Sequence, residues 1–149
     1  MRVLRTECLE GTPPGEAGTW FVHGGEALLA TLNDLTADEA TAKYALGSNS
    51  ICAHVKHSAY YLELAIDGLN GISRQGDWPG SWAKQAVTDV EWNEAKSSLR
   101  QRVQSFLETL EKVDLSTDPD DLTYALANLA HLAYHLGAVR QLYLFIKSG

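Results

Sequence analysis

The sequence contains few basic residues and few cysteines. It has 12 Lys and Arg against 19 Asp and Glu, for a formal net charge of −7. Nucleic-acid binding needs a basic footprint, so this balance argues against a phosphate backbone as partner. The two cysteines, Cys8 and Cys52, form no CxxC motif. We therefore expect reduced thiols in a cytoplasmic protein.

The sequence also lacks a strongly apolar run. Residues 122–139 carry no formal charge but are interrupted by Thr, Asn, two His, two Tyr and a Gly. A spanning helix needs a more continuous apolar content, so we interpret this stretch as a buried helix of a soluble protein. The N-terminus has arginines and a Glu where a secretory signal would have its apolar core, so no targeting peptide is expected.

Helical periodicity dominates what is present, and no strand-like alternation of useful length appears. At 149 residues we expect one domain, residues 1–149, folded as an all-α four-helix bundle. Residues 1–11 show no clear period and are expected to be loose or extended. The first helix is predicted over residues 12–35, capped by Thr12. Gly24 and Gly25 weaken its middle, which leaves a start near residue 26 as the alternative.

The three later helices have clearer boundaries. A connection over residues 36–49 leads to a second helix, capped by Ser48 or Ser50, that ends near Gly68. A long loop follows, in which two tryptophans, Trp78 and Trp82, are interpreted as anchors, with lining of a pocket mouth as the alternative. The third helix opens with a capping box at Thr88 and Glu91. After a turn at residues 114–117, the fourth helix runs from Pro119 to about Lys147.

The fourth helix is apolar on two sides. One side carries Leu122, Leu126, Leu129, Ala133 and Leu136, and the histidine side carries Tyr124, Ala127, Leu142 and Ile146. A four-helix bundle covers only one side of each helix, so the other is expected to be exposed. A contiguous exposed apolar stripe marks an interface, and the pattern therefore predicts a homodimer.

Two pairs of histidines have helical spacing. His131 and His135 stand four residues apart, so both rings leave the same side of the fourth helix and can share one metal ion. His54 and His57 stand three apart on the second helix. Periodicity leaves both open as a third ligand and slightly favours His54. His23, beside the glycines, is interpreted as structural or surface.

Two of these runs resemble a known family. SICAHVKHSAYYLELAIDGLNG, residues 50–71, resembles the second helix of the DinB-like metal-binding four-helix bundles, where an Ile precedes the ligand His by six residues, aromatic residues follow it and a Gly stands at the helix end. HLAYHLGAVRQL, residues 131–142, is similar to the last-helix motif, an HxxYHxGQ-type run. The resemblance extends from about Trp20 to the C-terminus, and three further features keep the family's order: Asp77-Trp78-Pro79, Trp92 and Asp114-Leu115.

The resemblance implies a metal triad of His57, His131 and His135. Matching the family's Ile to Ile51 selects His57, with His54 as the alternative. Ala138 stands where a Gln often follows the Gly of the motif, so no role of that Gln is carried over. The family's relatives include transferases that use a low-molecular-weight thiol and a maleylpyruvate isomerase that depends on such a thiol.

Three neutral imidazoles suit zinc or nickel and leave a coordination position open. A metal there lowers the pKa of a bound water or thiol. We expect a metal-dependent, thiol-using transferase or related hydrolase acting on a small molecule. The alternative is a non-enzymatic metal-binding stress protein, or a dimeric scaffold with a vestigial site. Neither ligand motif contains Asp or Glu, so no general base is named. His54, Tyr61 and Asn128 are candidates for contacts to the ligand rings or to substrate.

Overall fold

Helices are the only regular secondary structure in the described part of the chain, as the sequence predicted. The computed structural model describes residues 2–19, 21–22, 26–43, 45, 47–113 and 119–148, with residues 2 and 119–121 in backbone only. Within these ranges the chain forms no strand and seven helices. The helices are α1 (Arg2–Leu9), α2 (Leu28–Asn33), α3 (Ala37–Thr41), α4 (Ile51–Leu69), α5 (Trp78–Ser81), α6 (Asp89–Glu111) and α7 (Pro119–Ser148).

Three long helices, α4, α6 and α7, form the frame of the bundle, and α4 packs against both of the others. Helix α4 begins after Ser50, whose hydroxyl accepts a hydrogen bond from the backbone N–H of Ala53 at 3.3 Å. Helix α6 begins with the predicted capping box of Thr88 and Glu91. Both predicted starts are confirmed. The helices begin there because each cap supplies an acceptor to a free N–H of the first turn. The predicted turn at 114–117 lies outside the described residues.

The first bundle helix is much shorter than the predicted range 12–35 and begins close to the alternative start near residue 26. Residues 12–19 form no helix, and α2 spans only Leu28–Asn33. A second short helix, α3, lies in the segment predicted as a connection, where Thr36 and Glu39 form a capping box. Helix α2 nevertheless takes the fourth place in the bundle, because its own Leu28 and Leu32 are almost fully buried against the long helices. His23, Gly24 and Gly25 lie outside the described residues.

The prediction that residues 1–11 are loose or extended is wrong, because Arg2–Leu9 is the helix α1. Two charged side chains are buried on this helix, which hides its apolar period. The Arg5 guanidinium donates to the backbone carbonyl of Ala125 in α7, and Glu7 accepts two hydrogen bonds from Thr19. Burial lowers the pKa of Arg5 to about 10, which leaves it charged at neutral pH.

The long loop between α4 and α6 is confirmed and contains the short helix α5. The carboxylate of Asp77 caps α5 by accepting from the N–H of Gly80 at 3.0 Å. Asp77 also donates its backbone N–H to the Tyr60 hydroxyl at 2.7 Å. Farther along, the Gln85 side chain accepts from the backbone N–H of Ser50 at 3.0 Å. These bonds hold the loop against α4.

Helix α7 presents one face to the core and leaves part of the opposite face exposed. The buried face includes Ala125, Asn128, Leu132, His135 and Val139. The sequence predicted that one of the two apolar sides of this helix would be exposed. On the side that carries four of the predicted leucines, Leu122 and Leu126 are exposed, whereas Leu129 and Leu136 are buried. No helix of the described residues is long and apolar enough to cross a membrane.

Candidate metal centre

Helices α4 and α7 bring three histidine side chains together. One ring nitrogen from each of His57, His131 and His135 lies within 4.8 Å of the other two. The Nε2 atoms of His131 and His135 are 3.0 Å apart, as expected for rings one helical turn apart on the same face. His57 comes from α4, which faces α7 across the bundle. We call these three residues the histidine cluster.

The hydrogen bond of His57 fixes its tautomer. Its Nδ1 lies 2.8 Å from the hydroxyl of Ser81 in α5, and that hydroxyl donates its only proton to the backbone carbonyl of Trp78 at 2.7 Å. Ser81 must therefore accept from His57, because a serine hydroxyl has one proton to donate. His57 carries its proton on Nδ1, which leaves the Nε2 lone pair free to bind a metal.

His54 lies behind the cluster. Its Nδ1 is 3.0 Å from Nδ1 of His135, so one of these nitrogens donates and the other accepts. If the Nε2 lone pair of His135 is turned to a metal, its proton lies on Nδ1 and is donated to His54. A partner of this kind orients a ligand ring and fixes its tautomer. The two candidates for the third ligand, His54 and His57 on α4, thus have different surroundings. His57 belongs to the cluster, whereas His54 lies behind it.

Two aromatic rings cover the cluster. The Trp82 ring stacks on His57 with centroids 3.9 Å apart and planes inclined by 16°. The Tyr61 ring stacks on His131 with centroids 3.6 Å apart and planes inclined by 14°. These rings lie against the imidazole faces and leave the in-plane nitrogen lone pairs uncovered. Trp82 anchors the loop, as predicted, while Trp78 is exposed to 47%.

Burial keeps the clustered imidazoles neutral. It lowers the pKa of His57 to about 4, with smaller contributions from the nearby His131 and His54. It lowers the pKa of His135 to about 3 and also lowers that of His131. Burial likewise lowers the pKa of His54 to about 4. Neutral imidazole is the form that binds a metal, so at pH 7 no proton has to leave first.

The donor set fits a borderline divalent ion. Two imidazole nitrogens on a tetrahedral zinc ion are about 3.3 Å apart, from Zn–N bonds of about 2.0–2.1 Å. The His131–His135 separation of 3.0 Å is close to this value. The remaining pairs, all within 4.8 Å, need at most about 1.5 Å of closure. Within the described residues the cluster includes no carboxylate or thiolate, and three nitrogen ligands leave at least one position open.

A family model described as the DinB superfamily matches residues 21–139. The chain belongs to the DinB superfamily. The matched region contains the whole histidine cluster and the loop that carries Ser81 and Trp82. No curated protein and no solved structure matches the chain. The family assignment predicted from the sequence is therefore confirmed, and the histidine cluster is compatible with metal binding. The ligand roles of its three members stay predictions.

Asn128 and Tyr61, the other predicted site residues of this DinB-superfamily chain, have different positions. Tyr61 touches the cluster directly through its stacking on His131. Asn128 is 1% exposed, and its side-chain N–H₂ donates to the backbone carbonyl of Tyr124 at 2.8 Å. Its side-chain oxygen has no hydrogen-bond partner among the described residues. A buried acceptor without a donor is costly, so a water or a ligand N–H or O–H group is its expected partner.

Sequence reasoning missed Ser81 as a partner of the DinB site and assigned Trp82 no contact with it. Both lie in the loop, where no helical period relates them to α4 or α7. The available signal was the composition of residues 77–82, DWPGSW, in which an Asp cap, a Pro in the first turn and a flanking Trp predict a short ordered helix. That signal predicts order and leaves the partner of each side chain open.

Proposed function

We propose that the histidine cluster binds one divalent metal ion, zinc or nickel, and that the protein is a metal-dependent transferase using a low-molecular-weight thiol, or a related hydrolase. One observation carries the metal proposal. His57, His131 and His135 each offer a ring nitrogen to one small volume, and His57 is held by Ser81 in the tautomer that leaves Nε2 free. A chance cluster of histidines would not require that tautomer.

The chain's own residues orient the ligands and limit access to them. Ser81 holds the His57 ring and His54 holds the His135 ring. Trp82 and Tyr61 cover imidazole faces and exclude water from those sides. A zinc or nickel ion bound here would act as a Lewis acid that lowers the pKa of a thiol or water. No Asp or Glu belongs to the described cluster, which disfavours a peptidase that needs a carboxylate base.

Metal analysis of histidine variants tests the ligand assignment. We expect about one equivalent of zinc or nickel per wild-type chain and loss of that metal in His57→Ala. His54→Ala should keep the equivalent but bind it about 10–100-fold more weakly, because His54 acts on the ring of His135. Inductively coupled plasma mass spectrometry measures the content, and a competing chelator measures the affinity. Greater metal loss in His54→Ala than in His57→Ala would reverse the assignment.

The enzymatic proposal is tested with the metal-loaded protein. Bacillithiol, mycothiol and glutathione are supplied in turn with a panel of electrophiles, and thiol consumption is followed with and without a chelator. Turnover that requires both metal and thiol supports the transferase, and turnover with metal alone supports the hydrolase. Bound metal without turnover across the panel favours the alternative function, a non-enzymatic metal-binding stress protein or scaffold.

We also propose that α7 forms a homodimer interface. Leu122, Leu126 and Leu144 are 40–49% exposed along one side of α7. On the same side, a Cβ at Gly137 would meet no other part of the described chain within 4 Å beyond its own helix backbone and chain neighbours. Exposed leucines beside small residues allow two helices to approach closely. Light scattering at micromolar concentration should give twice the chain mass, and Leu126→Arg should give the monomer mass. Val90→Arg, at a 68% exposed position of α6, should leave the mass unchanged. A wild-type monomer contradicts the proposal.

A further inference from the structure

A cavity of about 320 Å³ lies next to the histidine cluster, between α4, the following loop and α7. One wall is a single face of α4, where Tyr61, Leu64 and Gly68 are spaced by three and four residues. Trp78 closes it from α5 and Tyr124 from α7. A volume of this size is at the lower end of the range for small-molecule pockets.

Two walls of the cavity also touch the cluster. The Tyr61 ring, which lines the cavity, stacks on His131. The Trp78 ring, which also lines it, lies 6.1 Å from the Tyr61 ring and 6.3 Å from the His57 ring, measured between centroids. The cavity is therefore separated from His131 by the thickness of the Tyr61 ring, and its Trp78 wall also borders His57.

Among the described residues the lining offers no free charge. Arg74 is the one charged residue among them, and its guanidinium lies 2.8 Å from the carboxylate of Glu63 and 3.3 Å from that of Asp67. Burial raises the pKa of both phenols, Tyr61 and Tyr124, so each is a neutral hydroxyl at pH 7. The remaining walls are apolar side chains, glycines and one serine.

Two glycines let aromatic side chains form the walls of the cavity. A Cβ at Gly68 would lie 2.8 Å from the Tyr124 hydroxyl, and a Cβ at Gly76 would lie 2.9 Å from the Trp78 ring. Both aromatic walls thus pack directly on backbone. The rim is apolar and unusually exposed, with Ile72 at 55%, Trp78 at 47% and Tyr124 at 38%. Apolar side chains grouped around one opening are typical of a ligand site.

We propose that this cavity binds an uncharged aromatic or short alkyl group of the substrate, whose other end lies at the histidine cluster. The inference rests on the proposed function and adds the chemical class of the molecule on which it acts. A charged group is disfavoured because it would lose its hydration without gaining an ionic partner. A flat ring is favoured because Trp78, Tyr61 and Tyr124 present aromatic surface to it.

Three probes of equal size separate this class from the others: benzyl alcohol, benzoate and benzylammonium. Binding is followed in the full chain by the indole N–H signals of the protein NMR spectrum, in metal-free and zinc-loaded samples. Benzyl alcohol should bind at least about tenfold more tightly than either charged probe in the metal-free protein, because only it enters without an unpaired charge. Equal binding of the three probes, or no binding of benzyl alcohol, overturns the inference.

Cavity variants locate the probe. Gly68→Leu places a side chain where the Tyr124 hydroxyl packs, so it displaces that wall of the cavity. It should weaken benzyl alcohol binding by about tenfold or more, whereas Val90→Ala, a surface change on α6, should have no effect. Trp78→Ala removes one aromatic wall and introduces no larger side chain. It should also weaken binding, and it replaces Gly68→Leu if that variant does not fold. Unchanged binding in both cavity variants overturns the inference.

The zinc content of the same samples distinguishes the cavity inference from the metal proposal. Zinc without probe binding contradicts only the cavity inference, and probe binding without zinc contradicts only the metal proposal.

Discussion

Zinc is expected to raise the free energy of unfolding of the metal-free protein by about 4 kcal/mol when free zinc is a thousandfold above its Kd. The folded chain holds ring nitrogens of α4 and α7 within 4.8 Å of one another, whereas the unfolded chain does not gather them. For a domain of this size the change corresponds to about 10–15 °C in Tm. Thermal melts followed by circular dichroism across a zinc titration measure it.

The same titration on two variants identifies where zinc acts. His131→Gln removes one nitrogen of the histidine cluster from a half-buried position, so its metal-free fold should persist while the zinc-dependent rise in Tm falls to a small fraction. Val90→Ala, at an exposed position of α6, should retain the full rise. An equal rise in His131→Gln and wild type would mean that zinc stabilises the protein at another place.

Acidification is expected to destabilise the metal-free protein by roughly 6 kcal/mol between pH 7 and pH 5, about 2 kcal/mol for each of three buried histidines. An unfolded histidine has a pKa of about 6.5, whereas burial lowers the pKa of His57 and His54 to about 4 and of His135 to about 3. Between those values the unfolded chain takes up protons that the folded chain does not. Stability is therefore complete above pH 6.5 and falls as pH falls towards 4.

Denaturant unfolding at several pH values measures this dependence. His54→Phe removes one of the contributing groups, so its curve of unfolding free energy against pH should be shallower than that of wild type. Zinc-loaded protein should show a steeper loss, because protons compete directly with the metal for the ring nitrogens. A metal-free stability that stays flat from pH 7 to pH 5 would contradict the buried, neutral state of these rings.

The sequence predicted those parts of the fold whose determinants are local. The caps at Ser50 and Thr88 were predicted because each side chain satisfies an N–H within its own helix. The helix α1 was missed because Arg5 and Glu7 are buried, and a charged residue in a sequence is ordinarily assigned to the surface. Their partners, Ala125 and Thr19, are distant along the chain, so no local pattern reveals them.

Within the histidine cluster, the pair on α7 could be predicted from the sequence, whereas the third member on α4 could only be narrowed to two residues one helical turn apart. The four-residue spacing places His131 and His135 on one face, whatever the surrounding fold. The choice between His54 and His57 was not available from periodicity, because residues three apart share nearly the same face. Tertiary contacts give His54 and His57 different partners. Ser81 in the loop bonds to His57, whereas His135 of α7 bonds to His54. Such contacts depend on tertiary packing.

The hydrogen bond from His57 to Ser81 ties the order of the loop to the occupancy of the proposed site. A metal on Nε2 makes the Nδ1 proton more acidic and so strengthens its bond to the serine oxygen. Thermodynamic reciprocity then requires that whatever free energy the metal adds to the folded loop, the folded loop adds to metal affinity. A molecule that binds against Trp78 and holds α5 in place would act on the same linkage. The proposed substrate cavity and the histidine cluster would therefore be energetically coupled sites.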